Sequence, residues 1–172
     1  MRFAGTCYRA HDPRWSFKPI SGDGAAVHGG RFNPSGESAL YLALSLTGAV
    51  REANQGLARK IDPYVLCTYD VDCEDIADLR NESERTTHRV KCAELAGGWL
   101  LIAQGGATPP SWLIAKRLKS EGFAGILVPS FANGATTEDC NLVLWEWGAN
   151  LPHKVTVYDP SGRLPKNQLS WD

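Results

Sequence analysis

Short apolar runs alternate along this chain with polar stretches rich in glycine and proline, and the period of each run predicts one element. Thr6 to Ala10 predicts a first strand. A long polar, glycine-rich approach follows from His11 to Gly30, with the character of a binding loop rather than a linker. Ala39 to Ala43 is a compact apolar run between Pro34-Ser35-Gly36 and Ser45, a residue type that caps helices. Leu46, Val50, Ala53 and Leu57 then recur at helical spacing and predict one buried stripe, with Glu52 away from its centre.

After Asp62-Pro63, the β-branched and aromatic residues of Tyr64 to Val71 predict a strand. Glu82 to about Ala103 reads as helical with a break at Gly97-Gly98. Ser111, behind Pro109-Pro110, predicts the cap of a helix carrying Leu113, Ile114, Arg117 and Leu118, and Gly122 predicts its stop. Gly125 to Pro129, Asn141 to Trp147 and Lys154 to Tyr158 are three further strands. Strands gather at both ends and helices in the middle, which predicts an α+β fold with a mainly antiparallel core rather than a doubly wound sheet.

Composition adds scale and exclusions. At 172 residues, 43% hydrophobic and 22% charged, the chain suits one globular domain over residues 1–172, with no internal repeat or low-complexity tract to divide it. A formal net charge of −1 supplies no basic field, so neither nucleic acid nor a membrane surface is an expected direct partner. No apolar stretch approaches the roughly 20 residues of a membrane helix. Cys7, Cys67, Cys73, Cys92 and Cys140 form an odd, unpaired set, and no leader pattern opens the chain, so a reduced cytoplasmic protein is expected.

Common chemical motifs are absent or incomplete. Gly22-Asp23-Gly24-Ala25-Ala26-Val27 lacks the third glycine of a dinucleotide fingerprint and has no strand before it. No phosphate loop, Gly-x-Ser-x-Gly elbow or His-Glu-x-x-His helix occurs. Asp70, Asp72 and Glu74 begin like a calcium loop but lack its glycine and final glutamate, and His88 and Cys92, at helical i, i+4 spacing, have no second ligand pair. No metal site is expected.

Three residues remain. Gly29-Gly30-Arg31 sets a guanidinium on a glycine turn, either as a surface arginine or where the backbone can approach a ligand and the side chain bind phosphate oxygens. Tyr41 is a core tyrosine or a ring that stacks on a planar ligand. Glu52, beside Arg51, is a solvated helix residue or the anion of a site. Spacing alone does not bring the three together.

The order of several short motifs does carry a likeness. Tyr8-Arg9-Ala10, Gly-Gly-Arg31-Phe-Asn-Pro, Ala-Leu-Tyr41-Leu-Ala, Arg-Glu52-Ala, Gly125-Ile-Leu-Val-Pro-Ser130 and Asn141-Leu-Val-Leu-Trp run through most of the chain. In this the chain resembles the RES-domain toxins of bacterial toxin–antitoxin pairs, the ParT-type branch most of all. The resemblance implies a fold similar to ADP-ribosyltransferase toxins, with NAD held in a cleft between two β-sheets. It implies Arg31, Tyr41 and Glu52 as the catalytic triad, with Arg9, Ser130 and Asn141 lining the same pocket and contributing to NAD binding. NAD would be consumed as a substrate, with no bound cofactor or metal.

The implied reaction breaks the nicotinamide–ribose bond through an oxocarbenium-like cation, which an anion at Glu52 would stabilise. Arg31, with Arg9, would anchor the pyrophosphate side; Tyr41 would stack on nicotinamide; and Ser130 and Asn141 would offer neutral hydrogen bonds. ADP-ribose would pass to a cellular protein, such as an enzyme of nucleotide synthesis, or else to water or phosphate. A non-catalytic nucleotide-binding or interaction module is the alternative of a different class. The resemblance also implies an antitoxin with a helix-turn-helix domain that covers the cleft. Trp112, Trp145 and Trp147 are residues for such an interface or for the core.

Overall fold

The computed structural model describes residues 1–54 and 62–169. Its strands are β1 (Phe3–His11), β2 (Leu40–Ala43), β3 (Val65–Cys73), β4 (Ile76–Asp78), β5 (Gly125–Pro129), β6 (Cys140–Leu144) and β7 (His153–Val157). Its helices are α1 (Asp23–His28), α2 (Leu46–Ala53), α3 (Glu82–Thr87), α4 (Cys92–Ala96), α5 (Trp99–Gln104) and α6 (Pro110–Ser120). Hydrogen bonding places the strands in one sheet of order β4-β5-β6-β2-β1-β3-β7, antiparallel except for β4 against β5.

The α+β, mainly antiparallel expectation holds, and the two expected sheets take a particular form. β1 and β2 share a single ladder pair, Tyr8 with Ala43, whereas β1 pairs with β3 along its full length and β2 pairs with β6 at four positions. The sheet is therefore two halves hinged at one residue pair. Alternation along the strands buries one face of the β1-β3-β7 half and both faces of the β4-β5-β6-β2 half. Leu40, Leu42, Leu142 and Leu144 from one half and Cys7, Tyr69, Val71 and Val155 from the other belong to one contiguous buried cluster. Ile126, Val128 and Val143, out of phase with these, join Leu95, Ile114 and Leu118 in a second cluster beneath α4 and α6.

Local differences from the sequence reading have local causes. The polar approach from His11 to Gly30 contains a one-turn 3-10 helix at Pro13–Trp15, capped by Asp12, as well as α1. The helix expected over Glu82 to Ala103 is three. It breaks at Gly97-Gly98 as the glycines predict, and earlier where Arg89 adopts φ 53° and the Val90 N–H closes on the Arg85 carbonyl (2.9 Å). This break puts His88 at the end of α3 and Cys92 at the start of α4, so the pair does not share a helix face. Pro110 opens α6, and Ser111 is buried inside it rather than capping. β4 has three residues, too few for a periodic signal. β6 stops at Leu144 because the N–H groups of Trp145 and Glu146 both turn to the Ala124 carbonyl. Leu57 lies outside the described residues.

Candidate functional site

The Gly30–Asn33 turn is held from several directions. Asn33 is fully buried; its amide nitrogen reaches the carbonyls of Ala25, Pro34 and Glu37 at 2.8–3.1 Å, and its Oδ1 accepts from the Tyr41 hydroxyl at 2.7 Å. That hydroxyl in turn accepts the Phe32 N–H at 3.0 Å. The Trp112 and Trp145 indoles donate to the carbonyls of Gly30 and Phe32, and the Trp147 indole donates to Ile20. All three tryptophans are half-buried, with their indole N–H groups bonded inside the fold. Gly30 leaves room for the Tyr41 hydroxyl. Burial pushes the Tyr41 pKa up, and its hydroxyl is tied to the turn while its ring faces the cleft described below.

Arg31 leaves the turn with one terminal nitrogen donating to the Leu95 and Gly97 carbonyls, at 3.0 and 2.7 Å. Its guanidinium lies 4.8 Å from the Phe131 ring centroid. Burial lowers its pKa and the Glu52 charge opposes that shift.

α2 carries Glu52, and its buried face differs from the expected stripe. Leu46 is half-exposed and Ala53 exposed, while Gly48 and Ala49 are buried against the sheet. Small residues let the helix axis come close to the strands, and Glu52, three and four positions on, shares that inward face. The Ser45 side chain caps α2 by accepting the Gly48 N–H at 3.0 Å, as its residue type predicts. Arg51 pairs with the buried Asp139 carboxylate, which also accepts from the Thr136 N–H and hydroxyl and from Ser45.

The backbone and side-chain hydrogen bonds of Thr136 hold the Asp139 pKa below the usual carboxylate range, against the effect of desolvation. A pKa lower in the folded than in the unfolded chain stabilises the fold above the unfolded value, about 4, and that contribution is lost as pH falls through the folded value. Asp139→Asn is therefore expected to melt below the parent at pH 7, with the gap narrowing below about pH 4. Thermal melts across that range check it, and a gap independent of pH would remove the carboxylate's role.

Glu52 is held from the sheet side. Its Oε1 accepts from the Ser130 hydroxyl and from the Asn141 amide, both at 2.6 Å. Ser130 and Asn141 thus contact the carboxylate, where the sequence reading gave them to the ligand. Asn141 Oδ1 is buried with no hydrogen-bond partner among the described residues.

Where β1 and β2 part beyond their single pair, a cavity of about 260 Å³ opens between Tyr8–Ala10 and Tyr41–Ala43, with Glu52 and Asn141 in its wall. An adjoining cavity of about 320 Å³ shares Arg9, Tyr41, Glu52 and Asn141 with it and adds Arg31, Trp99 and Phe131. The structure therefore brings Arg9, Arg31, Tyr41, Glu52 and Asn141 to one cleft, with Ser130 reaching it through Glu52. Arg9 donates to the Ser21 carbonyl at 2.9 Å, and burial lowers its pKa. The aromatic walls Trp99 and Phe131 were missed; the one signal was a second double glycine, Gly97-Gly98, immediately before Trp99. Among the described residues no group of three or more His, Cys, Asp or Glu side chains is placed to hold a metal ion. No described helix is long and apolar enough to cross a membrane.

Comparisons with known proteins agree with this architecture. A family model described as the RES domain matches residues 6–167. Among solved structures, the chain is similar to the crystal structure of the M. tuberculosis MbcT-MbcA toxin-antitoxin complex, with TM-score 0.64 and 21% identity over 92% of this chain and 84% of that one. At that identity the likeness establishes the shared fold. No curated protein matches the sequence.

Proposed function

Because the chain belongs to the RES-domain family, we propose that it is the toxin of a toxin–antitoxin pair, acting in the cytoplasm, and that it cleaves NAD at the nicotinamide–ribose bond. The observation that carries the proposal is the Glu52 carboxylate, held by Ser130 and Asn141 in the wall of a cleft that also contains Arg9, Arg31 and the aromatic residues Tyr41, Trp99 and Phe131. The donor set fits the substrate. Arg9 and Arg31 match diphosphate oxygens, Tyr41, Trp99 and Phe131 offer faces to a planar ring, and the orphaned Asn141 Oδ1 can accept from a ribose hydroxyl or a carboxamide.

Breaking the glycosidic bond sends its electron pair to the pyridinium nitrogen, so nicotinamide leaves neutral and positive charge develops on the ribosyl carbon. A carboxylate already oriented by two hydrogen bonds needs no reorganisation to stabilise that charge. The acceptor then bonds to the same carbon and gives up a proton. The proposed acceptor is a cellular protein, with water and phosphate as competitors for the same cation. Leu100, Leu101 and Leu113 are exposed on α5 and α6, whose first turns meet through Trp99 and Trp112, ring centroids 6.3 Å apart. This apolar surface beside the cleft supports docking of a protein partner, first of all a cognate antitoxin with a helix-turn-helix domain that covers the site. The solved complex supports that reading by likeness of fold.

The test is nicotinamide release from NAD by the purified, antitoxin-free protein, with products resolved by mass spectrometry in phosphate buffer and in cell lysate. Release is expected, with ADP-ribose mass appearing on a protein in lysate. Free ADP-ribose or its phosphorylated form as the sole product would assign the acceptor to water or phosphate. No release in either medium would leave a nucleotide-binding or interaction module.

A further inference from the structure

Glu52 is the penultimate residue of α2, a helix of eight residues. A helix that short owes its order to packing, and its last turn is where it frays first. The two donors to its carboxylate, Ser130 and Asn141, lie on either side of the connection between β5 and β6. Carboxylate and donors therefore stand on two separate pieces of chain, and their geometry is only as fixed as the tie between those pieces.

Asp139 is that tie. Its backbone carbonyl accepts the Ser130 N–H at 2.7 Å, which closes the neck of the β5–β6 connection. The next carbonyl, of Cys140, accepts the Leu44 N–H at 2.9 Å and joins the neck to the end of β2. The Asp139 side chain runs the other way, to α2. It meets that helix at its cap, Ser45, and in its last turn at Arg51, the residue before Glu52. The Thr136 N–H and hydroxyl, at 2.8 and 2.9 Å, fix the carboxylate from inside the connection. The Asp139 side chain is 5% exposed and that of Arg51 37%. An ion pair with a buried member is a weak source of net stability, because desolvation offsets the attraction; what it fixes is an arrangement. Here the arrangement is the one between Glu52 and its donors.

From this juxtaposition we propose that Arg51 and Asp139 are positioning residues for NAD cleavage: their ion pair locks the last turn of α2 to the connection flanked by Ser130 and Asn141, so that the Glu52 carboxylate faces the ribosyl carbon in one geometry. The inference rests on the proposed NAD reading. Neither residue is assigned a contact with the substrate.

The experiment measures kcat and KM for nicotinamide release, with thermal melts and calorimetric ADP-ribose affinity, in the parent, Arg51→Met, Arg51→Lys and Thr136→Val. Methionine keeps much of the aliphatic stem of a partly exposed side chain and removes its charge. Arg51→Met is expected to lower kcat about 10-fold, since a misplacement of about 1 Å can cost about 100-fold. KM and ADP-ribose affinity are expected to stay within about 2-fold of the parent, because what is lost acts on the developing cation rather than on ground-state binding. The contact uses one guanidinium nitrogen, so the Arg51→Lys ammonium is expected to restore most of the turnover. Thr136→Val reaches the same clamp through an exposed residue on the loop side and is expected to lower kcat about 3-fold, which keeps the test open should Arg51→Met fold poorly. In a Glu52→Gln background, where no charge remains to be positioned, Arg51→Met is expected to change release no further. Parental kcat in both Arg51→Met and Thr136→Val overturns the proposal, as does an equal loss with and without the Glu52 charge, the mark of a merely structural role. Nicotinamide release by the parent reports the cleavage reading separately: no release sinks both, whereas release with unchanged turnover in the variants sinks the positioning role alone.

Discussion

Glu52→Gln is expected to lower nicotinamide release from NAD by about 10²- to 10³-fold, the scale on which removing a preorganised electrostatic partner acts. The substitution keeps the shape of the side chain. Its carbonyl oxygen can still accept from the Ser130 hydroxyl and the Asn141 amide, which meet Glu52 Oε1 at 2.6 Å in the parent. What disappears is the negative charge opposite the developing ribosyl cation. The parent and the variant are therefore expected to share a melting temperature and ADP-ribose affinity and to differ in turnover. Chromatographic quantitation of nicotinamide, paired with a thermal melt, makes the comparison. A variant that retains parental turnover would remove Glu52 from the chemistry.

Gly30→Ala is expected to destabilise the protein by about 2–3 kcal/mol and to abolish activity with it. A methyl group at position 30 would overlap the Tyr41 hydroxyl and stand 2.7 Å from Asn33 Oδ1 and 2.9 Å from Tyr41 Cζ. Tyr41 cannot retreat, because its hydroxyl satisfies the buried Asn33 oxygen and the Phe32 N–H. Moving the turn instead would pull Arg31 off the Leu95 and Gly97 carbonyls and leave the Trp112 indole without its Gly30 acceptor. Gly24, whose added methyl would meet nothing within 4 Å, is the control, and Gly24→Ala in α1 is expected to be neutral or slightly stabilising. Urea denaturation of both variants tests the pair. Equal midpoints for Gly30→Ala and the parent would mean that the turn has slack that the geometry denies.

Both expectations depend on contacts that spacing along the chain does not reveal. Arg31 and Tyr41 were singled out as residue types, but the reason a glycine must precede Arg31 is a hydroxyl eleven positions further on. The resemblance placed Ser130 and Asn141 in the pocket, but only the structure shows that both donate to the Glu52 carboxylate. Glu52 was set away from the buried stripe because that stripe was drawn through Leu46, Val50, Ala53 and Leu57 rather than through Gly48 and Ala49. In a helix packed tightly on a sheet the small residues face inward, since only they let the backbones approach.

The amino-acid sequence by itself determined what depends on neighbours a few positions apart. β5 at Gly125–Pro129 matches its apolar run, the Ser45 cap starts α2, and Gly122, with φ 91°, lies just past the end of α6. The α+β class and the family likeness were legible for the same reason, because periodicity, caps and ordered motifs are written locally. Only the tertiary structure decided that β1 and β2 meet at one residue pair and then part to open a cleft, and that Arg9 lines both of the cavities there. These depend on contacts between residues far apart in the chain, 89 positions in the case of Glu52 and Asn141. Such contacts follow from how two half-sheets pack over a shared core, and a local pattern constrains that packing without specifying which side chains it brings together.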